Sequence, residues 1–256
     1  MATIELNIAN RIATLTINRP ASRNAMTLSM WRAMASYFRN LSADPDVGVI
    51  ILTGAGDDFS TGADISEFGT VRADAAQAAV YEEAVDECSN AIQSATKPTI
   101  AALHGYCLGG GCHLAMACDF RVADASAKIG IPAAKLSIVY GVRSTQRLLS
   151  IVGLPRAKRI LFSAERLDAA EASRIGFVDR VGADAIEVAN TFAATMSESA
   201  PLSVAGAKWL LNGLAYEEAF DRAKAERIIA GAADSDDYRE GRDAFAQKRK
   251  PNFRGR

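Results

Sequence analysis

Residues 104–119, HGYCLGGGCHLAMACD, constrain the fold more than any other stretch of this chain. An apolar strand, PTIAAL (98–103), runs into them; three glycines follow, and an apolar helical run then begins around Cys112 and His113. Glycine is favoured where backbone turns sharply or where another group must approach it closely, and it weakens a helix or strand interior. Three in a row between a strand and a helix therefore mark a tight turn with something close to its backbone. A second turn of the same kind, FSTGADISEF (59–68), follows the buried strand and glycine turn VGVIILTGAG (47–56). Helix N-termini leave N–H groups unpaired and carry the positive end of the dipole. Two such donors aimed at one point can hold an oxyanion.

The remaining pattern places these turns in an α/β chain. TIELNIANRIATLTINRP (3–20) reads as two strands around an Ala-Asn turn, with Ile12, Thr14 and Thr16 alternating against Ala13, Leu15 and Ile17. Thr27 can cap a helix to about Leu41, with Leu28, Trp31, Met34, Tyr37 and Phe38 at helical spacing. A long helix is expected from about Ala73 to Thr96, a strand at DFRVAD (119–124), and helices through STQRLLSIV (144–152) and RAKRILF (156–162). Strands alternating with helices predict mainly parallel pairing. From about Asp184 the chain reads as helical almost throughout. The expected division is a core over 1–195 and a helical oligomerisation region over 196–256.

Several function classes are disfavoured. The formal net charge of −1 lacks the basic excess of a nucleic-acid binder. The basic end KRKPNFRGR (248–256) reads as a solvated tail. No apolar run approaches the ~20 residues of a membrane helix, and the first residues lack the charged-then-apolar pattern of a secretory leader. Cys88, Cys107, Cys112 and Cys118 show no CxxC spacing, so free thiols in a reducing cytoplasm are expected. Two histidines and dispersed cysteines make no metal set, and no metal or redox cofactor is expected. No GxGxxG opens a helix after the first strand, and there is no P-loop.

Taken together, NRPASRNAM (18–26), FSTGADISEF, HGYCLGGGCHLAMACDFRVA (104–123) and STQRLLSIVG (144–153) occur in the order and spacing of the crotonase (enoyl-CoA hydratase/isomerase) superfamily, which residues 11 to about 250 resemble. The resemblance implies a spiral of ββα units followed by a C-terminal helical region that trimerises, as a homotrimer or a dimer of trimers. It implies an acyl-CoA thioester as ligand, with coenzyme A arriving as part of the substrate. Carried over by position, the oxyanion donors are the N–H groups of Ala63 and Gly110. Arg23 falls where relatives touch the CoA phosphates. Asp64 and Ile65, beside Ala63, are carried over as CoA contacts, although Asp64 and Glu67 near a helix start would complement its dipole in any case. Phe245 and Lys248 resemble the tail that closes over CoA, often from a neighbouring subunit.

The acid–base residues depart from the family pattern. Relatives that hydrate enoyl-CoA carry one glutamate where His113 stands and a second where this chain has Ala133, after Pro132. Isomerases that use only the second glutamate lose their base as well. The aspartate that some dehalogenases and dienoyl isomerases carry is replaced by Gly141. Positioned acid–base groups contribute typically ~10²–10⁴-fold each, so efficient hydration by two carboxylates is not expected. His113 and Tyr140 remain as catalytic candidates. A histidine in the first turn of a helix is expected to be neutral; it either accepts a proton or orients water, or it merely packs. Tyr140 sits in LSIVYG (136–141), which resembles the matching segment of methylmalonyl-CoA decarboxylase-like members. Loss of CO₂ needs an electron sink and no protein base. Decarboxylase or lyase chemistry therefore ranks first, hydration or isomerisation through His113 second, and thioester hydrolysis third. An acyl-CoA-binding protein without catalysis is the alternative class. Arg143 reads as a surface or helix-start residue, with a substrate carboxylate as its alternative partner. His104 and Asp119 read as structural.

Overall fold

A computed structural model describes residues 3–136, 138–216, 221–247 and 249–256. The first two strands, β1 (Ile4–Ala9) and β2 (Ile12–Ile17), form an antiparallel hairpin with Ala9 opposite Ile12. Its turn residues are Asn10 and Arg11, with φ of 52° and 63°, one position later than the Ala-Asn turn expected from the sequence. On β2 the alternation holds: Ala13, Leu15 and Ile17 are buried and Ile12, Thr14 and Thr16 half-buried.

The helix α1 (Leu28–Ala43) starts at Thr27, whose hydroxyl accepts the Met30 N–H at 3.3 Å. Capping of this kind satisfies one of the four orphan donors at a helix start. Met30, Trp31, Met34, Phe38 and Leu41 form its buried stripe. Then come β3 (Val49–Gly54), the single-turn α2 (Phe68–Val71), α3 (Ala75–Gln93), β4 (Thr99–Leu103), β5 (Tyr106–Leu108), α4 (Gly110–Ala117), β6 (Phe120–Asp124) and β7 (Lys128–Gly130). They are followed by α5 (Val142–Val152), α6 (Leu154–Ser163), β8 (Arg166–Asp168), α7 (Ala169–Arg174), β9 (Arg180–Gly182) and α8 (Ala185–Ser197). The chain closes with α9 (Pro201–Tyr216), α10 (Arg222–Ala233) and α11 (Asp236–Gln247).

The larger sheet has the order β1-β2-β3-β4-β6-β9 and is parallel from β2 onward. Its central strand β3 is buried on both faces, which explains its unbroken apolar run. Ile50 and Leu52 face the main core with α1, α3 and α4, while Val49 and Ile51 face the opposite layer. That layer is α8, whose Ala185, Ala189 and Ala193 recur at one-turn spacing and let the helix lie close on the sheet. A smaller sheet, β5-β7-β8, stands apart. Its strands are three residues each, too short for a periodicity argument, and the sequence reading missed it.

The helix α9 is fastened to the core by Lys208, whose ammonium donates to Asp119 at 2.8 Å and to the Lys97 carbonyl at 3.0 Å. Asp119 also accepts from the backbone and the hydroxyl of Thr99, in line with its structural reading. Among the described residues, no helix is long and apolar enough to cross a membrane. The two glycine turns lie beyond the carboxyl ends of the parallel strands β3 and β4. That is where open α/β sheets hold ligands.

Candidate active site

Backbone pairing brings the two turns together. The Phe59 and Ser60 N–H groups donate to the carbonyls of His104 and Tyr106, each at 2.9 Å, and the Leu108 N–H returns to Ser60 at 3.0 Å. On its other side the 59–64 segment pairs with residue 26: Met26 N–H donates to Gly62 at 2.7 Å, and Asp64 N–H to Met26 at 2.9 Å. This ladder uses the Gly62 carbonyl and the Asp64 N–H on either side of Ala63 but not the Ala63 N–H. Gly110, first residue of α4, likewise keeps its N–H free, because the Gly109 N–H is the one that donates to Gly130, at 2.9 Å. Among the described residues, neither the Ala63 nor the Gly110 N–H finds a protein acceptor.

The glycines keep the space between these donors open. A Cβ on Gly110 would lie 3.1 Å from the Ala63 nitrogen and 3.2 Å from Trp31 Cζ2. A Cβ on Gly62 would lie 2.5 Å from the Gly110 nitrogen and 2.8 Å from the Leu108 carbonyl oxygen. Gly109 serves a different need: its φ of 52° and ψ of −110° suit glycine alone, while a Cβ there would meet only Pro132 Cδ at 3.9 Å. A Cβ on Gly111 would collide with the Ser60 carbonyl, so this glycine lets α4 lie against the 59–64 segment. Three consecutive glycines thus meet three separate requirements: a turn, an open donor and a close packing contact.

The carboxylates near the first turn are committed to structure. Asp64 accepts from Ser66 and from the Arg19 guanidinium, at 2.8 Å for the latter, and these bonds hold its carboxyl below the usual carboxylate range. Glu67 accepts the Leu28 N–H at 2.6 Å. Ile65 is 65% exposed beside them. Arg23 sits in the left-handed region with φ 48°; its guanidinium lies 5.1 Å from the Tyr106 ring centre and 4.0 Å from Asp58, and its side chain stays mostly in solvent. Lys248 and the side chain of Phe245 lie outside the described residues.

His113 is buried one turn into α4. Its Nδ1 is hydrogen-bonded to the Ser144 hydroxyl, its ring packs edge-on to Trp31 at 6.5 Å, and Nε2 makes no well-formed hydrogen bond among the described residues, although the Val85 backbone lies near the ring. Burial, and secondarily the Arg147 charge, push its pKa down to about 3, while the Val85 backbone acts in the opposite direction. The neutral histidine expected from the helix start is therefore enforced mainly by loss of water. Tyr140 donates to the Gly109 carbonyl at 3.2 Å, and burial raises its pKa well above that of a free phenol. No carboxylate hydrogen-bonds to His113 or Tyr140 among the described residues. Ala133 is buried and apolar.

Sequence reasoning missed Ser144 and Arg147. Arg147 is buried, and its guanidinium donates to Gln93 at 2.8 Å and Asn90 at 3.1 Å on α3, with Nη1 left unpaired. A signal existed: Ser144, Arg147, Leu148 and Val152 form the buried stripe of α5, and two polar residues on such a stripe ask for partners. Arg143, by contrast, is exposed.

Comparison with known proteins adds four findings. The family model described as Enoyl-CoA hydratase/isomerase matches residues 7–256. The chain is 35% identical over 255 residues to the crotonyl-CoA hydratase of Syntrophomonas wolfei, covering 98% of this chain and 97% of that protein. It is 33% identical over 260 residues to the 2,3-dehydroadipyl-CoA hydratase of Escherichia coli, covering 100% of both. Among solved structures, an enoyl-CoA hydratase/carnithine racemase from Magnetospirillum magneticum superposes with a TM-score of 0.94 at 37% identity, covering 100% of this chain and 97% of that one.

Proposed function

The chain belongs to the enoyl-CoA hydratase/isomerase family, and from that premise we propose that it turns over an acyl-CoA thioester whose oxygen lies between the Ala63 and Gly110 N–H groups. The observation that carries this is the pair of unpaired backbone donors, with Gly62 and Gly110 keeping the space before them clear. In the thioester ground state these donors bind a carbonyl. As an enolate forms, the same donors face a negative oxygen and bind it more strongly, which is what lowers a barrier.

Loss of a carboxylate from the acyl group suits this site better than efficient hydration. In decarboxylation the C–C bond to the carboxylate breaks, its electron pair enters the thioester enolate, CO₂ leaves, and a solvent proton then reaches the α-carbon. The step needs the oxyanion hole and no protein base. Hydration needs one group to deprotonate water and another to protonate the α-carbon, and the two positions carry His113 and Ala133. The second reading is hydration or isomerisation with His113 as base, favoured by its neutral ring in the first turn of α4. CoA would run past Arg23, Asp64 and Ile65, with Phe245 and Lys248 closing the tail side. On the family pattern the 196–256 region would associate into trimers and the enzyme would work in the cytoplasm; exposed Leu211, Leu214 and Ile229 on α9 and α10 support association of that region.

A mass-spectrometric turnover panel tests the reading, with crotonyl-, 3-enoyl-, methylmalonyl- and saturated acyl-CoA offered to the wild type and to His113→Ala. Release of CO₂ from the carboxylated ester, with slow hydration of crotonyl-CoA, is expected. Crotonyl-CoA hydration at a rate typical of efficient hydratases refutes the decarboxylase preference and, if lost in His113→Ala, establishes the second reading. Binding of every ester without turnover identifies an acyl-CoA-binding protein instead.

A further inference from the structure

We infer that the Trp31 ring closes the inner end of the acyl site and restricts the substrate to short acyl chains. The inference rests on the proposed thioester site between the Ala63 and Gly110 N–H groups and adds to it the length of the acyl group. Direct geometry places Trp31 at that site. A Cβ on Gly110 would lie 3.1 Å from the Ala63 nitrogen and 3.2 Å from Trp31 Cζ2, so the six-membered edge of the indole borders the space that the two donors face. The same ring packs edge-on to His113, with the centroids 6.5 Å apart. Solvent decides which end of an ester meets it. Coenzyme A carries phosphates that stay hydrated, and Arg23 and Ile65, the residues assigned to it, are exposed. Trp31 is fully buried, and Tyr81 and His113 beside it are buried as well. The apolar acyl end therefore points inward, to the indole.

A ring with no accessible surface has no water-sized void against it, so the methylenes of a long chain meet no channel past Trp31 and would have to displace it. Three contacts resist that displacement. The indole Nε1–H donates to the Tyr81 hydroxyl at 2.9 Å, a buried bond that joins α1 to α3. Indole nitrogen is a donor only, and moving the ring strands that donor away from water, which costs more than the bond itself is worth. Tyr81 packs edge-on to Phe68 of α2, with the centroids 5.6 Å apart. The Arg72 guanidinium lies 4.9 Å from the Phe68 ring centre and 5.3 Å from that of Tyr81, and it pairs with Glu82 at 2.9 Å. Packing at crystal-like density accepts added methylenes only by forcing side chains off their rotamers. Trp31 is thus a wall backed by a second layer of side chains.

Isothermal titration calorimetry with CoA and with acetyl-, butyryl-, hexanoyl- and octanoyl-CoA tests the inference whichever reaction the site performs. Each methylene buried on binding strengthens affinity about fourfold, so an open channel would favour octanoyl- over butyryl-CoA on the order of a hundredfold. The wild type should instead bind butyryl-CoA more tightly than CoA and should favour octanoyl- over butyryl-CoA by less than about fourfold, the worth of one methylene. Trp31→Leu and Trp31→Ala, with wild-type far-ultraviolet circular dichroism, should each raise the octanoyl-to-butyryl preference by about tenfold or more, as methylenes enter the space the indole leaves. A wild type whose affinity climbs by more than that one-methylene step from butyryl to octanoyl overturns the role of Trp31, and so do folded variants that keep the wild-type ratio; both leave the thioester site standing. The wild-type series decides by itself where a variant does not fold. A wild type that binds no ester more tightly than CoA refutes the acyl-CoA site on which the inference rests.

Discussion

Replacing Gly110 by alanine should abolish most activity while leaving the fold in place, and replacing Gly109 should lower stability while sparing most of the activity. At Gly110 the added methyl would sit 3.1 Å from the Ala63 nitrogen, 3.1 Å from Gly62 Cα and 3.2 Å from Trp31 Cζ2. All three neighbours are backbone or ring atoms, so either the methyl occupies the space before the donors or the donors move apart. Loss of one such donor typically costs ~10²–10³ in kcat, about 3–4 kcal/mol of transition-state stabilisation. Stability should change by at most about 1 kcal/mol, because alanine gains helix propensity at α4 while the tight contacts offset it. For a chain of this size that is a Tm shift of roughly 2–4 °C. At Gly109 the added methyl has room, but the backbone conformation is strained for alanine by about 1–3 kcal/mol. Gly109→Ala should therefore melt several degrees lower and keep more than about a tenth of the wild-type kcat, since the donor stays open. The assay is kcat on the ester identified by the turnover panel, beside thermal melts of both variants. A Gly110→Ala enzyme that keeps a third or more of wild-type kcat, or a Gly109→Ala enzyme that loses as much as Gly110→Ala, refutes the reasoning.

Other outcomes follow from the same geometry. His113 is about 3 when folded and near 6.5 when unfolded, so between those values the unfolded chain holds the extra proton and stability falls as pH is lowered. Urea melts should show His113 contributing about 2 kcal/mol of lost stability from pH 7 to pH 5, a slope that His113→Gln removes; equal slopes in both proteins contradict the assignment. Lys208→Ala breaks the ion pair that seats α9 and should cost about 1–3 kcal/mol, less than a fully buried pair because Asp119 is partly solvated; an unchanged denaturant midpoint contradicts it. Arg23→Gln should raise KM for CoA esters about 2- to 5-fold with kcat unchanged, as expected for an exposed charge contributing uniform binding; an effect confined to kcat counts against a CoA contact at that position.

The sequence made legible whatever depends on local pattern. The helix cap at Thr27, the alternation of β2, and the strand-turn-helix stretch carrying Gly110 follow from neighbours within a few residues; the stretch carrying Ala63 reads the same way in sequence, but there Ala63 bridges to Met26 and a single 3-10 turn, Ile65–Glu67, follows in place of a helix start. What stayed hidden depends on distant residues. The Ser144–His113 contact joins elements 31 positions apart, and the Arg147 cradle joins α5 to Asn90 and Gln93 more than 50 positions earlier. The strands β5, β7 and β8 escape because three residues carry no period, and β5 lies inside the glycine-rich stretch where a turn dominates the reading. The purpose of each glycine was likewise out of reach, since composition gives three equivalent residues and only the surrounding atoms separate a turn from an open donor and a packing contact.

In the proposed reaction the Ala63 and Gly110 N–H groups grip a thioester oxygen. Isotope-edited infrared spectroscopy of [1-¹³C]butyryl-CoA bound to the wild type and to Gly110→Ala tests it most directly. The carbonyl stretch should lie at lower frequency in the wild-type complex than in solution, with most of that displacement gone in Gly110→Ala. A bound ester whose carbonyl absorbs where it does in water, or a displacement that survives in Gly110→Ala, would contradict it.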